Sequence, residues 1–540
     1  MDDSSLQTPS ADDLLLFLEQ PASYPHGPAA VEVRQTHASL LALAGPYVYK
    51  VKKAVDFGFL DFTTLAKRRE NAERERRLNS RLCADLYLDI VPICHRAGKL
   101  AFGSKGEIVE YALKMHRLDD GYFLDQLLKE GAPDPVLLTP VLDTLQAFYT
   151  QPPQPPALAA FGALSHIRRV TDDTLRALDL PEALPPVVYP TLRQYHDAYY
   201  EQHAALFAER VQQHRIVDGH GDLRLEHIHL QGGRVCIYDC LEFNDALRYL
   251  DVAADLAFLA MDLDFAAHPA LARYVVDQMA QRLHDPALKS LMDFYKVYRA
   301  CVRAKVEHLR SQEAEVGEAE RQRSQVQRQR YLQLALRYAT CGSSPTVLLV
   351  GGPIGSGKST LARALADHLG LTYLSSDIVR KQQAHQPLFA RTPASQRKLL
   401  YTPARTAAVY EALLAAVAAL QAQEKGAVVD ATFGNAAHRA RFFRHFHAHR
   451  LPFFFWKRGL PPPYSGTGWP NGKEGHAWCQ MPAWTTSRRS MRAISRLLKF
   501  PAWYPFRPRK RPTTRCNRRW RSWFPDRCAA GSGPVGQWVS

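Results

Sequence analysis

Ten residues constrain this chain more than any others: Gly351-Gly352-Pro353-Ile354-Gly355-Ser356-Gly357-Lys358-Ser359-Thr360, which follow the apolar run 346–350 and precede a helical pattern from Lys358 through His368. Glycines placed between a strand and a helix let successive backbone N–H groups close around phosphate oxygens, and the helix start adds the positive end of its dipole. The spacing Gly352-x-x-x-x-Gly357-Lys358-Ser359 fills every fixed position of the Walker A pattern in the right β-loop-α context. Lys358 is then expected to neutralise the β/γ-phosphates and Ser359 to hold Mg²⁺. Residues Gly352–Thr360 form the expected binding loop for ATP, with GTP an open alternative.

Two more segments fit the same α/β unit. Leu374-Ser375-Ser376-Asp377 ends a short strand, and an acid there can take the proton of a hydroxyl attacking the γ-phosphoryl group. The alternative role for Asp377 is a helix N-cap. Ala427-Val428-Val429-Asp430 is an apolar strand ending in a carboxylate, and Asp430 is expected at Mg²⁺, directly or through water, with a purely structural role as the alternative. Over about 346–455 the chain resembles the small P-loop kinases related to polynucleotide kinase, gluconate kinase and zeta-type toxins. That resemblance implies a substrate-handling role for Asp377 and Arg380. It also implies an arginine-bearing lid helix and a final strand and helix, for which the sequence beyond 456 shows no matching pattern.

A second signature lies upstream. His220-Gly221-Asp222-Leu223-Arg224-Leu225-Glu226-His227 follows one β-rich burst and precedes another that ends in Tyr238-Asp239. A His-x-Asp turn followed 17 residues later by a strand-end Asp is the arrangement of the protein-kinase and aminoglycoside-phosphotransferase group. Phosphoryl transfer needs one carboxylate near the acceptor hydroxyl and another on Mg²⁺. Asp222 is therefore cast as catalytic base and Asp239 as metal ligand, with His220 bracing the loop. Five positions after the base, where an Asn normally holds a second Mg²⁺, stands His227, with Glu226 beside it as an alternative oxygen donor. Lys50 and Lys52 share one strand face, and either can meet the α/β-phosphates, with Glu75 (or Glu73) orienting it. Val109–Met115 fits the adenine-contacting hinge, and Thr36-His37-Ala38-Ser39 stands where a glycine-rich lid would lie.

The stretches Tyr47–Phe62, Arg77–Leu82, His220–His227 and the Walker A region together resemble bacterial two-domain proteins that fuse an aminoglycoside-phosphotransferase-like domain to a P-loop kinase-like domain, often labelled AAA-family ATPases. The likeness spans about 10–455 and implies that the Glu226-His227 pair is a family trait. The expected fold class is multidomain α/β and α+β: a protein-kinase-like domain at 1–310, a charged helical linker at 311–340 whose Ser311–Arg330 run is expected to be solvated, and an incomplete P-loop parallel-sheet domain at 341–456. ATP and Mg²⁺ are the expected cofactors, and the expected activity is transfer of the γ-phosphoryl group to a hydroxyl of a small molecule or nucleotide. Two rivals stand beside it: an ATP-dependent switch with a degenerate kinase fold, and a nucleic-acid kinase or binder.

The charge distribution bears on the last rival. Residues 457–540 hold 17 of the 69 Lys/Arg but only 2 of the 53 Asp/Glu, so nearly all of the net charge of +16 sits there. All eight tryptophans lie between Trp456 and Trp538. The shift at one residue fits an out-of-frame or aberrant C-terminus, and the alternative is a basic, aromatic tail that binds nucleic acid. The main body carries no polyanion footprint. The nine cysteines are scattered without a Cys-x-x-Cys, so neither a disulfide framework nor a zinc site is expected. No signal peptide or membrane span is expected, and the cytoplasm is the expected compartment.

Overall fold

The computed structural model describes residues 9–457, apart from 37, 57–59, 97–98, 130–133, 152–155, 181–183, 314–315, 389–397 and 450. The expectations for the basic tail and for His37 lie outside the described residues. The described residues form two compact units, one drawn from the chain up to 131 plus 226–244, the other from 132–225 plus 245 onward.

The first unit is built on a six-stranded antiparallel sheet in the order β1-β2-β3-β6-β4-β5, with β1 Val31–Gln35, β2 Ser39–Ala44, β3 Tyr47–Lys52, β4 Tyr87–Arg96, β5 Lys99–Phe102 and β6 Glu107–His116. Alternation decides which face each side chain takes. Tyr49 and Val51 of β3 enter a core with Leu40, Ala42, Ile93 and Ala112, which sends Lys50 and Lys52 to the opposite face. The helix Leu65–Asn79, capped by Thr64, presents Glu75 on its buried side. A hairpin of Ile228–Gln231 with Arg234–Ile237 completes the unit. Cys83 and Cys236 form a disulfide between the segment after that helix and the hairpin, against the expectation of none. The partners are 153 residues apart, a separation that spacing alone cannot match.

The second unit joins a helical body to a P-loop sheet. The charged segment expected to be a solvated linker is broken after Gln312, and its second part belongs to the helix Glu318–Cys341. Tyr331, Leu332, Ala335, Leu336 and Ala339 of that helix are buried in one cluster with Leu348 and Val350 of the first P-loop strand and Ala362 and Leu365 of the P-loop helix. The linker expectation is thus corrected for 331–341, while most described residues of 311–330 are exposed or half-buried. The Gln/Arg-rich first half hides an apolar second half, whose face packs against both neighbours.

The P-loop sheet is parallel, in the order Thr372–Ser375, Ala427–Asp430, Val347–Gly351, Phe453–Lys457. Trp456 pairs with Val350, so the aromatic shift expected near Trp456 begins inside a strand. The helix Pro403–Ala422 is long and apolar enough to cross a membrane by length and composition, a feature not expected from the sequence. Here it buries Val409, Tyr410, Leu413 and Val417 in the core that also holds Val347, Leu349 and Val429 of the sheet.

Candidate functional site

The phosphate loop has the backbone its glycines allow. Gly355 and Gly357 take φ of 79° and 77°, the left-handed region that favours glycine. Gly357 is the N-cap of the helix Lys358–Leu369, which has no side-chain cap hydrogen bond at that end. Lys358, Ser359 and Thr360 open that helix. Beside the loop, Asp430 pairs in register with Val350 and is 2% exposed. Its Oδ2 accepts from the Tyr373 hydroxyl at 2.7 Å, while its Oδ1 is buried with no hydrogen-bond partner. A buried carboxylate oxygen left unsatisfied is costly, and it fits a Mg²⁺ ion or a water bound to one. Ser356 Oγ, in the loop itself, is likewise buried without a partner.

Asp377 lies in the first turn of the helix Ser376–Gln383, but the N-cap position is Ser375, so the capping role does not describe it. Its carboxylate is 56% exposed, with Lys381 Nζ 3.5 Å away. Arg380, on the same helix face, is buried and lies 4.2 Å over the ring of Tyr401, with its Nε unpartnered.

In the first unit the sheet, the helix and the hairpin bring five charged residues together. Lys50 Nζ lies 2.9 Å from Glu75 and 3.7 Å from Asp239. Lys52 Nζ lies 2.6 Å from the other oxygen of Glu75 and 3.0 Å from Glu242. Burial works to lower the Lys50 amine, but the carboxylates of Glu75, Asp239 and Glu242 together raise it well above an ordinary lysine. For Glu75, burial pushes upward and the two lysines outweigh it, pulling the carboxyl down to about 2. Glu73 instead pairs with Arg69 at the exposed surface, so Glu75 is the orienting acid. Glu242 was not singled out in the sequence; its signal is the apolar-flanked acid three residues after Asp239.

Asp239 sits at φ 62°, a conformation uncommon for a non-glycine residue and concentrated at functional sites. His227 Nε2 lies 3.6 Å from Asp239 Oδ2 and 3.7 Å from Glu226 Oε1. Glu226 and His227 end a 3₁₀ turn, Leu225–His227, and both line the same cleft. Among the described residues no three His, Cys, Asp or Glu form a preformed metal cage. The apolar walls of the cleft include Leu41, Val48, Met115 and Leu118, with Thr36 at its edge. Val109–Met115 is therefore not the hinge as expected: it is part of β6, and only its exit at 115–118 reaches the cleft.

The His220–Leu225 loop belongs to the second unit and is held by one helix, Val252–Phe265. Asp255 accepts the amides of His220 at 2.7 Å and Gly221 at 2.9 Å, and Asp262 accepts that of Leu225 at 3.0 Å. His220 is fully buried and its Nδ1 accepts the Asp222 amide at 3.3 Å, a bracing position. The Asp222 carboxylate lies 3.9 Å from Arg224. Asp255 and Asp262 escape sequence reading because they sit in an apolar helix without a motif of their own.

The family model described as an AAA domain matches residues 347–456. Proteins of Mycobacterium tuberculosis (uncharacterized protein Rv2004c) and Mycobacterium bovis (uncharacterized protein Mb2027c) are each 34% identical over 415 residues, covering 76% of this chain and 80% of theirs. Among solved structures, a choline/ethanolamine kinase family protein from Mesorhizobium loti aligns at 14% identity, over 60% of this chain and 98% of that one, with a TM-score of 0.34. Choline kinase LicA from Streptococcus pneumoniae aligns at 12% identity, over 60% and 99%, with a TM-score of 0.35. The sheet, the paired lysine and the two-carboxylate arrangement define the class: a kinase-like region followed by an AAA-type P-loop domain in one chain. The chain belongs to the family of these mycobacterial proteins.

Proposed function

We propose that this chain is an ATP-dependent phosphotransferase that moves the γ-phosphoryl group to a hydroxyl of a small molecule or nucleotide. The observation that carries the reading is Lys50, held between Glu75 and Asp239 in a cleft with apolar walls. A lysine fixed by one buried acid and facing a second is positioned to hold nucleotide phosphates while the second acid meets the divalent ion bound with them. Asp222 would take the proton of the acceptor hydroxyl, and the bound ion would supply neutralisation of phosphate charge. In the P-loop domain, Lys358, Ser359 and Asp430 would hold the second nucleotide, and Asp377 with Arg380 would meet an acceptor.

The test is ATP turnover and phosphorylated-product detection with the full chain, Lys358→Ala, Asp222→Ala and the double variant, over a library of hydroxyl compounds. Loss of product in Asp222→Ala alone supports Asp222 as the base of the working transferase, outside the P-loop domain. Loss in Lys358→Ala alone moves the chemistry to the P-loop domain. Hydrolysis that never yields a phosphorylated acceptor defeats the transferase reading in favour of an ATP-dependent switch.

A further inference from the structure

An imidazole nitrogen stands beside Asp239, where an oxygen donor would be expected. His227 is 2% exposed, so its ring is enclosed by protein. Its Nε2 faces two carboxylates, Asp239 Oδ2 at 3.6 Å and Glu226 Oε1 at 3.7 Å. Adjacent side chains seldom share a direction, but the 3₁₀ turn Leu225–His227 puts Glu226 and His227 on one cleft with Asp239. The donor pair offered is thus the His227 imidazole nitrogen and Asp239 Oδ2, 3.6 Å apart.

Mg²⁺ favours an all-oxygen octahedron and gives up water reluctantly. First-row transition ions accept imidazole readily, with affinity rising along the series from Mn²⁺. We propose that the first unit's nucleotide site is a mixed nitrogen–oxygen site in which His227 and Asp239 ligate a first-row divalent transition ion, with Mn²⁺ as its probe, in preference to Mg²⁺. The inference rests on the nucleotide-site reading of this unit. Because the described residues form no three-donor cage, the nucleotide's phosphate oxygens must complete the sphere, and ion and nucleotide bind together. Glu226 Oε1, 3.7 Å from the same nitrogen, would be the reserve oxygen donor.

The experiment uses the full chain carrying Lys358→Ala, which weakens the P-loop site, and a non-hydrolysable ATP analogue. Mn²⁺ binding is followed by EPR, with Mg²⁺ as competitor. The expected result is that Mn²⁺ binds at least about tenfold more tightly than Mg²⁺ when the analogue is present. Pulsed EPR should show a nitrogen coupling that changes isotope when the protein is grown on ¹⁵N-histidine, which excludes the adenine ring as its source. In His227→Asn the preference should shrink to within about threefold and the coupling should vanish. The labelled wild-type spectrum decides the matter even where that variant folds poorly. Analogue-dependent Mn²⁺ binding without a histidine coupling overturns the ion assignment and leaves the nucleotide site standing. No analogue-dependent binding of either ion overturns both.

Discussion

Lys52 and Lys50 divide one carboxylate between them: Glu75 meets Lys52 through Oε2 at 2.6 Å and Lys50 through Oε1 at 2.9 Å. The lysines are two residues apart on β3, so they share a face while Val51 between them fills the sheet core. Only Lys50 also faces Asp239, while Lys52 is closed off by Glu242. The two lysines therefore have different work, one toward the cleft and one within the protein.

That division predicts unequal variants. Lys50→Ala leaves Glu75 its pair with Lys52, so unfolding free energy should change modestly while nucleotide affinity of the first unit falls at least about tenfold. Glu75→Ala removes the acid that two buried lysines share, leaving Glu242 for Lys52 and Asp239 for Lys50, and should cost about 3–5 kcal/mol. Denaturant melts beside nucleotide titration separate the two effects, and equal stability losses in both variants would refute the division.

The same carboxylate sets a pH response. Its folded value lies below the unfolded one of about 4.3, because Lys50 and Lys52 outweigh the upward push of burial. Such a group stabilises the fold above its unfolded value, and the contribution is lost as pH falls through the folded one. The wild-type melting temperature should therefore drop between about pH 4.5 and pH 2.5. Glu75→Gln, which has no proton to take up there, should start lower and fall less steeply over that window.

The local motifs were legible because each carries its chemistry in a few adjacent residues. Gly352–Thr360 became a loop and helix start, and Asp430 became the end of a strand beside it. Glu75 could be chosen over Glu73 only from the structure, since the helix register that buries one and exposes the other follows from tertiary packing. The Cys83–Cys236 pair and the Asp255 clamp join segments distant in sequence, and no spacing announces them. The 318–341 helix misled because its charged first half dominates its composition, while Tyr331–Ala339 supplies the face that packs.

Asp255 predicts a stability defect with a functional consequence. It is fully buried and accepts from the His220 and Gly221 amides and, at 2.9 Å, from the Tyr149 hydroxyl. Asp255→Ala strands three donors, at about 1–3 kcal/mol for each one left unsatisfied. Asp255→Asn keeps one acceptor oxygen and should recover part of the loss. Urea melts of both variants check the order; an alanine variant as stable as wild type would show that the loop holds its shape unaided.

Reducing the disulfide should loosen the first unit. It ties the segment after the Glu75 helix to the strand that leads into Asp239. Closing a long loop constrains the unfolded chain, so Cys83→Ser should lower stability by about 2–4 kcal/mol. Mass spectrometry of the alkylated, non-reduced protein checks the bond itself, and a melt insensitive to reductant would remove the prediction.

Asp430 separates metal binding from packing in the P-loop domain. One of its oxygens is satisfied by Tyr373 and the other is buried without a partner. An asparagine has the same shape and can still accept from that hydroxyl through its remaining oxygen. It lacks the charge that attracts a divalent ion, directly or through a bound water. Asp430→Asn should therefore unfold within about 1 kcal/mol of wild type, because no paired charge is lost. Its Mg²⁺-dependent nucleotide binding should fall at least about tenfold, while binding measured in EDTA stays the same, since the glycine loop and Lys358 contact phosphate without the ion. Equilibrium titration with and without Mg²⁺, in a Lys50→Ala background to weaken nucleotide binding at the other site, reads both quantities. An equal loss in EDTA would mean that Asp430 shapes the loop rather than meeting the ion, and Tyr373→Phe would then reproduce the defect.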